Sequence, residues 1–319
     1  MKAIRIHEDG GPEVLRYEDV PDPEPREGEV LVELRAASLN HLDVWIRKGL
    51  PSVPKPRILG ADGAGVLAGT DERVVLNPAI VENGKMHIIG ETRDGTHAEL
   101  IAVPSSAVQP IPGGLSFEEA AAFPLTFMTA YRMLVTRARL QPGEWVLVWG
   151  VGGGVASAAV ALAKALGANV VATSSSDEKL ARATELGADA TVNHATGDVV
   201  AFVREVTGGG AQVVVDDVGE ATWKRTLDAA RPEGRIVVCG ATTGPNPPAA
   251  LHRVWWKQLS ILGSTMGTPE DFRGACDLIE AGKVRPLVDS VFPLAEAAQA
   301  HERLEAGLQL GKIVLRIPS

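Results

Sequence analysis

The sequence contains very little cysteine. Only Cys239 and Cys276 occur among its 319 residues, too few for the disulfide framework of a small secreted protein or for a cluster of thiolate ligands. Cys239 ends a predicted strand and Cys276 lies on a predicted helix, and we interpret both as small buried apolar residues. The scarcity of cysteine fits a reducing compartment, and we expect a cytoplasmic protein.

Positive charge is scarce relative to negative charge. Long apolar stretches are also scarce once those rich in glycine and alanine are set aside. The formal net charge is -9 and the isoelectric point is near 5.4. Nucleic acids and anionic membrane surfaces bind clustered Lys and Arg, so we expect neither as a partner and expect a small-molecule substrate instead. The first residues, "MKAIRIHEDGGPEVL", lack the apolar core of a secretory signal. The uncharged residues 146–163 are too rich in glycine and alanine to predict a membrane span.

Apolar residues are plentiful, at 45% of the composition, and the chain is longer than one usual domain. Up to about residue 115, short β-branched runs such as "EVLVELRAASLN" and "AELIAVP" alternate with proline, glycine and aspartate clusters, which predicts an all-β domain. The last residues return to a strand, helix, strand pattern that could rejoin this domain. We therefore predict a first domain formed by residues 1–118 and 285–319.

The pattern changes to helix in "SFEEAAAFPLTFMTAYRML", where Ser116 and Glu119 form a predicted capping box ahead of Phe117. Beyond it, short apolar strands such as "WVLVW", "NVVATS" and "QVVVDDV" alternate with helical segments. That alternation is typical of a parallel, doubly wound sheet. We predict such an α/β domain over residues 119–284.

Three consecutive glycines follow the strand "VLVW" and precede an alanine-rich helix. A strict G-x-G-x-x-G pattern fails because its sixth position is Val155; the turn is one residue longer, with small residues at Gly150, Gly153 and Ala156. Glycine at the start of a helix lets the backbone approach a phosphate, which meets the free N–H groups there. We predict a dinucleotide site, the alternative being a tight turn without a ligand. Four residues of the turn are its candidate contacts: Gly150, Gly153, Gly154 and Val155.

Serine stands where NAD-binding proteins of this fold carry an acidic residue. About 20 residues beyond the glycine turn, an Asp or Glu normally accepts the ribose hydroxyls of NAD, whereas this chain has Ser174. Ser174 and Ser175 can donate to a 2′-phosphate and Lys179 adds positive charge, so we predict NADPH as the cofactor. The alternative is that Ser175 and Glu178 only form a capping box, with Asp177 and Glu178 repelling a phosphate.

Several segments together resemble a known family. The segments "GGPEVL", "NHLDVWIRKG", "PRILGADGAGV", the glycine turn and "GKIVL" are similar to the medium-chain dehydrogenase/reductase superfamily over essentially the whole chain. The longer glycine turn resembles the zeta-crystallin-like quinone oxidoreductases, while "NHLDVW" and "GTHAEL" also resemble zinc-type alcohol dehydrogenases. The resemblance implies a GroES-like β domain with an inserted Rossmann domain. We also assign four further residues to the cofactor: Thr129, His194, Gly240 and Lys312.

The positions that resemble the zinc ligands of alcohol dehydrogenases have changed. They hold Asn40, Ala61 and Leu125, and only the adjacent Asp62 keeps the character of a ligand. No cysteine occurs between residues 78 and 95, where the resemblance would place a structural zinc site with four thiolates. We therefore predict chemistry without a bound metal.

Without a metal, hydrogen bonds must polarise the substrate oxygen, and such donors are weaker than a Lewis acid for making an alkoxide from an alcohol. Hydride addition to a quinone, an enone or a related activated carbonyl is easier, because conjugation spreads the developing charge. We assign Asn40 to the substrate oxygen or the nicotinamide ribose, with Asp43 and Asp62 as orienting groups. The simpler alternatives are a helix cap at Asn40 and Asp43, and backbone hydrogen bonding at Asp62.

Three functions stay open from the sequence. The changed ligand positions favour a zinc-free, NADPH-dependent reductase of quinones, enones or activated carbonyls. An alcohol dehydrogenase would need an unorthodox metal site, built from His41, Asp43 and Asp62. A redox sensor without turnover would bind the cofactor alone. The predicted strand "LSILGS" is an open sheet edge, and we expect a homodimer joined along it, with Trp255 and Trp256 in packing or interface positions.

Overall fold

The computed structural model describes residues 1–318. Within them the chain forms two compact units, of which the first consists of Met1–Thr126 together with the chain from Ile279 onward. The second unit is Phe127–Leu278. The boundaries predicted from the sequence are 118/119 and 284/285. None of the helices in the described chain is long and apolar enough to cross a bilayer.

The helices and strands follow one another in this order. Up to Ala121 they are β1 (Lys2–Ile6), β2 (Arg16–Asp19), β3 (Glu29–Ser38), α1 (His41–Arg47), β4 (Arg57–Ile58), β5 (Asp62–Leu67), β6 (Arg73–Leu76), β7 (Ala79–Glu82), β8 (Lys85–Ile88), β9 (Leu100–Pro104), β10 (Val108–Pro110) and α2 (Phe117–Ala121). The next are α3 (Pro124–Tyr131), β11 (Trp145–Val148), α4 (Gly154–Ala165), β12 (Asn169–Ser174), α5 (Asp177–Glu185), β13 (Ala190–Asn193), α6 (Val199–Thr207), β14 (Ala211–Asp216), α7 (Trp223–Ala229), β15 (Ala230–Val238), α8 (Leu251–Trp256), β16 (Ser260–Gly263) and α9 (Pro269–Glu280). The last are β17 (Val288–Pro293), α10 (Ala297–Glu305) and β18 (Lys312–Arg316).

The first unit is built around a largely antiparallel sheet. Its strand order is β10-β6-β5-β3-β18-β17, and β9 also pairs with β3. Strand β18 runs antiparallel to β3 with Val314 opposite Ser38, so the end of the chain rejoins the first domain as predicted. On the other side of β3, Ser38 lies opposite Asp62 of β5. This register brings the first residues of β5 and β18 to the same end of β3.

Apolar side chains from the sheet and from α10 form the core of the first unit. Val32 and Leu34 of β3 and Leu315 of β18 are fully buried. They belong to one cluster with Ala300 and Leu304, which lie four residues apart on α10 and therefore share one face of that helix. Burial of this face holds α10 against the sheet, where the hydrophobic effect is the main stabilising contribution.

The predicted capping box at the start of α2 is confirmed. Ser116 Oγ accepts a hydrogen bond from Glu119 N at 3.2 Å, and Glu119 Oε2 accepts one from Ser116 N at 2.9 Å. The helical stretch predicted beyond it is divided in two, because α2 ends at Ala121 and α3 begins at Pro124. Proline has no backbone N–H, so it is favoured at the first position of a helix and disfavoured inside one.

The second unit contains the predicted doubly wound sheet. In the described chain its strand order is β13-β12-β11-β14-β15-β16, and each neighbouring pair is parallel. The strand order reverses between β11 and β14, and ligands of such sheets bind at the carboxyl ends of the strands at this point. Strand β16 is an edge of the sheet, as predicted.

Helix α8 is an element that the sequence pattern does not predict. Trp255 and Trp256 at its end are 64% and 77% exposed, so the interpretation of these tryptophans as interior packing residues is wrong. The helix is short and follows a segment rich in proline and glycine, which favours loop over helix in the sequence. The interpretation of the two tryptophans as interface residues stays a prediction.

Candidate functional site

The carboxylate of Asp62 is the centre of a buried polar cluster in the first unit. Asp62 is the first residue of β5 and is fully buried. Its Oδ2 accepts hydrogen bonds from three side chains: Ser38 Oγ at 3.1 Å, Asn40 Nδ2 at 2.9 Å and Lys312 Nζ at 3.0 Å. Its Oδ1 accepts one from the backbone N–H of Leu125 at 2.8 Å. We refer to Asp62, Ser38, Asn40 and Lys312 as the Asp62 cluster.

Asn40 and Lys312 also bind each other within this cluster. Lys312 Nζ donates to Asn40 Oδ1 at 2.5 Å, and the two residues are 6% (Asn40) and 4% (Lys312) exposed. Because an amide carries two N–H groups and an ammonium three, each side chain retains one N–H after these contacts. The sequence analysis assigned Asn40 to the substrate oxygen or the nicotinamide ribose, and Lys312 to the cofactor. The pairing of β18 with β3 places them side by side.

Asp43 has a different environment from Asp62. Its Oδ2 accepts from Asn40 N at 2.7 Å and its Oδ1 from Gly60 N at 3.0 Å. Since Asp43 is the third residue of α1, the bond to Asn40 N caps that helix, which is the simpler alternative considered from the sequence. Burial raises the pKa of this carboxyl. Asp43 therefore orients the backbone at Asn40.

Three basic residues are completely buried in the first unit: Arg47, His97 and His301. None of them was singled out from the sequence. Their signal there is weak, because "WIRKG", "GTHAEL" and "AHERLE" place them inside ordinary helix and strand patterns. Only tertiary packing shows that they are enclosed.

The Asp62 cluster does not fit a zinc ion. Zinc takes thiolate, imidazole and carboxylate ligands, whereas this cluster offers one carboxylate, an amide, a hydroxyl and an ammonium that is already bound to that carboxylate. Nowhere in residues 1–318 do three His, Cys, Asp or Glu side chains gather as a metal site. His41, Asp43 and Asp62, considered from the sequence as a metal site, do not form such a group there, and both Asp43 oxygens accept backbone hydrogen bonds.

In the second unit, the glycine turn connects β11 to α4 where the strand order reverses. Gly150 has a φ of 63°, a left-handed conformation that favours glycine. Its N–H donates to Thr173 Oγ1 at 3.2 Å, so its assignment to the cofactor depends on the close backbone approach that glycine permits and stays a prediction. Gly153 is the N-cap of α4, so the N–H groups of Gly154 and Val155 open the helix without partners inside it. This end of α4 fits a pyrophosphate.

The serines that follow β12 differ in their contacts. Ser174 is 5% exposed, and its Oγ accepts from Ser176 N at 3.1 Å. Ser176 is the N-cap of α5 and accepts from Lys179 N at 3.4 Å. The alternative capping box of Ser175 and Glu178 is therefore wrong, because the cap lies one residue later. Ser175 is exposed, which leaves its hydroxyl available to a ligand at the helix end.

His194 lies beside these serines with a basic neighbour that the sequence did not predict. His194 Nδ1 is 3.2 Å from Thr173 Oγ1, and its carbonyl accepts from Arg225 Nη1 at 3.4 Å. The Arg225 guanidinium carbon lies 5.0 Å from the centre of the Trp149 ring. Burial, and after it the charge of Arg225, lowers the pKa of His194. Arg225 thus adds a cation near the end of β13.

Two buried hydroxyls of the second unit have no hydrogen-bond partner among the described residues. They are Thr129 Oγ1 on α3 and Ser264 Oγ after β16, in residues that are 4% and 8% exposed respectively. Orphaned buried hydroxyls fit a polar ligand group such as the amide of a nicotinamide. Thr129 was a candidate from the resemblance. Ser264 was not identified from the sequence, because it is the last residue of the predicted strand "LSILGS". Gly240 follows β15, the neighbour of β16.

Both cysteines, interpreted from the sequence as small buried apolar residues, are half-buried. Cys239 follows β15, and burial, with smaller effects of Asp217 and Asp216, raises the pKa of its thiol. Burial raises the pKa of Cys276 to about 12. The two thiols are therefore protonated at neutral pH and weak nucleophiles.

The carboxyl of Asp217 is also perturbed. Burial, and then the charge of Asp216, raises the pKa of Asp217 to about 6.

These features define a class of protein: a two-domain oxidoreductase with a β domain and a doubly wound nucleotide-binding domain. Residues 26–113 match the "Alcohol dehydrogenase GroES-like domain" family, and residues 154–281 match the family described as "Zinc-binding dehydrogenase". A quinone oxidoreductase of Pseudomonas aeruginosa is 35% identical, over 98% of this chain and 99% of its own length.

Solved structures are similar over the whole chain. One described as an NAD-dependent alcohol dehydrogenase is 42% identical, with a TM-score of 0.96 and complete coverage of both chains. A 2-octenoyl-CoA carboxylase reductase in complex with NADP and 2-octenoyl-CoA is 29% identical, with a TM-score of 0.91, over 99% of this chain and 87% of its own. The chain belongs to the medium-chain dehydrogenase/reductase superfamily, among its quinone oxidoreductase-like members, and is an NAD(P)H-dependent oxidoreductase.

Proposed function

We propose that this protein is a zinc-independent, NADPH-dependent reductase that transfers hydride to quinones, enones or related activated carbonyl compounds. The observation that carries this proposal is the Asp62 cluster, in which a lysine ammonium and an amide are held by a buried carboxylate. The quinone oxidoreductase of Pseudomonas aeruginosa supports the same substrate class.

The Asp62 cluster supplies hydrogen-bond donors to an oxygen that gains negative charge. Asn40 and Lys312 are each fixed by two partners, so their remaining N–H groups need no reorganisation when charge develops. Such donors suit a carbonyl whose conjugation already spreads the charge. They are weaker than a Lewis acid for generating the alkoxide of an unactivated alcohol.

The second unit provides the groups that would hold the cofactor. The N–H groups of Gly154 and Val155 fit the pyrophosphate. The hydroxyls of Thr129 and Ser264 fit the nicotinamide amide, and Ser175 fits a 2′-phosphate. A bound reduced nicotinamide supplies the hydride. The protein holds it and orients it toward the substrate.

A panel of quinones, enones, aldehydes and primary alcohols, each assayed with NADPH and NADH, tests the proposal. We expect oxidation of NADPH with quinones or enones at rates well above those with alcohols in the reverse direction. Turnover confined to alcohols would contradict the substrate class. Cofactor binding without turnover on any member of the panel would favour the redox sensor.

A metal-dependent alcohol dehydrogenase is a second candidate, because a solved structure described as an NAD-dependent alcohol dehydrogenase is 42% identical to this chain. The residues of the Asp62 cluster argue against it. Elemental analysis of the dialysed protein, with assays before and after a chelator, separates the two. We expect less than stoichiometric zinc and turnover that the chelator does not change. One zinc per chain whose removal abolishes turnover would support the second candidate.

A further inference from the structure

Six nitrogen atoms in the interior of the first unit make no hydrogen bond of good geometry within residues 1–318. They are both ring nitrogens of His97, both ring nitrogens of His301, and Nε and Nη1 of Arg47. All three residues are 0% exposed. Native interiors leave very few such groups unsatisfied, so a concentration of them in one place requires an explanation.

These residues form a continuous polar seam between α1 and α10. Asp43 and Arg47 lie four residues apart on α1, and His301 and Glu305 lie four apart on α10, so each pair shares one helix face. Arg47 Nη2 bonds Glu305 Oε2 at 2.5 Å, which joins the two helices. Glu305 also pairs with Lys48, whose side chain is half exposed. The outer end of the seam therefore lies at the protein surface.

His97 occupies the inner end of the seam. Its ring lies 6.3 Å from the His301 ring, perpendicular to it, and packs over Gly60, whose N–H donates to Asp43. Gly60 has a φ of 98°, and a Cβ there would lie 2.4 Å from His97 Cδ2, so the close approach requires glycine. The residue before His97, Thr96, donates from Oγ1 to the Asp62 carbonyl at 2.7 Å. His97 therefore borders the Asp62 cluster.

The chemistry of these groups indicates what would satisfy them. A neutral imidazole carries one donor and one acceptor, whereas a guanidinium carries donors only. At 6.3 Å between centroids, the two rings do not bond each other directly. A water molecule both donates and accepts, and buried waters typically bind two to four polar groups. Water is thus the ligand class that matches the whole set.

We propose that His97, His301 and Arg47 line a file of internal water molecules that carries a proton between Glu305 at the surface and the Asp62 cluster. We call these three residues the buried histidine passage. The proposal rests on the proposed reductase function, whose reaction consumes one proton for each hydride. It assigns a role to buried groups that the proposed reaction otherwise leaves unused.

The proton balance is as follows for a carbonyl-type acceptor. Hydride transfer breaks one C–H bond of the reduced nicotinamide, and its electron pair forms a C–H bond on the substrate. The substrate oxygen then forms an O–H bond with a proton from the Lys312 ammonium, and Lys312 regains a proton from the passage. Each water or imidazole of the passage accepts one proton as it releases another, so the net proton comes from solvent at Glu305.

The charge state of the histidines supports this role. Burial, with smaller effects of neighbouring charges, lowers the pKa of both His97 and His301, so both are neutral at pH 7. The groups that face His97 are the Ser38 backbone, Asp43, Asp62 and Lys312, while His301 faces His97 and Arg47. A neutral imidazole can accept a proton on one nitrogen while it donates from the other.

Kinetics of the His301→Leu variant test the passage. We expect kcat with NADPH and a quinone to fall at least about tenfold. The ratio of the rate in water to the rate in heavy water should rise, and the affinity for NADPH should stay the same. His87→Leu, on strand β8, is the matched control and should change none of these. A folded His301→Leu protein with native kcat and native isotope ratio would overturn proton transfer through the passage.

A crystal structure of the native protein at high resolution provides the second test, which needs no variant to fold. We expect ordered waters within hydrogen-bond distance of the His97 and His301 nitrogens, connected toward Arg47. A dry interior, or nitrogens paired with protein atoms, would overturn the proposal. This result does not depend on any substrate. A hydrated passage in a protein that reduces no quinone or enone would show that the proposed function has failed while the water site stands.

Discussion

Lys312 and Asp62 lie 250 positions apart in the chain and form a buried ion pair. Removing two charges from water costs free energy, which the pair recovers only if its remaining donors and lone pairs are satisfied. Ser38, Asn40 and the Leu125 N–H provide those contacts. Deleting one ion would leave an unpaired buried charge, at a typical cost of about 3–5 kcal/mol. Asn40 is therefore the residue of the Asp62 cluster to substitute first, since its truncation leaves both charges in place.

We expect Asn40→Ala to lower kcat by about ten- to a thousand-fold, which is typical for loss of one preorganised donor, while NADPH affinity changes little. The reason is that Asn40 is proposed to donate to the substrate oxygen and not to hold the cofactor. Steady-state kinetics and NADPH titration measure the two effects. Asn169→Ala, whose side chain bonds the Gly143 carbonyl, is the control. An unchanged kcat would leave Asn40 with a structural role only.

The prediction of NADPH as the cofactor depends on the absence of a carboxylate at the end of β12. We expect kcat/KM to favour NADPH over NADH by at least tenfold, or about 1.4 kcal/mol. The hydroxyls of Ser174 and Ser175 can donate to the 2′-phosphate, and Lys179 contributes charge. Lys179→Ala should narrow the preference, whereas Lys224→Ala, an exposed lysine on α7, should not. Preference for NADH, or a ratio insensitive to both Ser174 and Lys179, would contradict this assignment.

At the scale of elements, α1 and α10 combine apolar packing with the buried histidine passage. Leu304 of α10 packs into the same apolar cluster as Val44 of α1. Between them, the Arg47–Glu305 pair and His301 place polar groups in an otherwise apolar contact. Burial of a titratable group makes stability depend on pH, because the folded and unfolded states bind protons differently.

This contact predicts that the free energy of unfolding falls as the pH drops below about 6.5. An unfolded histidine has a pKa of about 6.5, whereas burial lowers the pKa of His97 and His301 in the folded state. Below pH 6.5 the unfolded chain therefore binds more protons, and the stability present above that pH is progressively lost. Each histidine contributes at most about 1.4 kcal/mol per pH unit.

Urea unfolding at pH 7, 6 and 5 measures this dependence. His301→Leu should show a shallower loss of stability with falling pH than the native protein. Leu304→Ala is the control, since it should cost about 2–5 kcal/mol at every pH without changing the slope. If the unfolding free energy falls equally with pH in the native protein and in His301→Leu, then His301 titrates alike in the folded and unfolded states.

At the scale of the whole molecule, the second unit exposes apolar groups beside the outer edge of β16, the last strand of its sheet in the described chain. Ile261 on the edge strand β16 is 43% exposed, and Leu251 and Trp256 on α8 are 69% and 77% exposed respectively. Unpaired edges with exposed apolar side chains are commonly covered by a second copy across a two-fold axis. A homodimer joined along β16 stays our proposal for the assembly, and a cytoplasmic location stays a prediction.

We expect a dimer by light scattering across a wide range of concentrations. Ile261→Lys should shift the protein toward the monomer, because it places a charge on the proposed strand contact. Leu308→Glu replaces a residue of the first unit that is 61% exposed, and should leave the dimer unchanged. A native protein that is monomeric at every concentration would contradict the homodimer.

Much of the fold follows from local patterns. Alternating strands and helices, the glycine turn and the Ser116 cap depend on neighbours within a few residues, so "ATVN" and "NVVATS" predict β13 and β12 with their observed bounds. Local patterns fail where a short segment can adopt more than one local structure. The break at Pro124, the cap at Ser176 and helix α8 each depend on one or two residues whose alternatives are close in free energy.

The sequence was sufficient for the class of fold, the position of the glycine turn and the absence of zinc-ligand residue types, because each depends on the identity and spacing of nearby residues. The pairing of Lys312 with Asn40 and Asp62 was not predictable, since these residues lie 272 and 250 positions away from Lys312 and meet it only when β18 pairs with β3. The enclosure of His97, His301 and Arg47 likewise arises only when α10 packs on α1. Burial and partner choice are properties of the packed chain, and no local pattern of residues contains them.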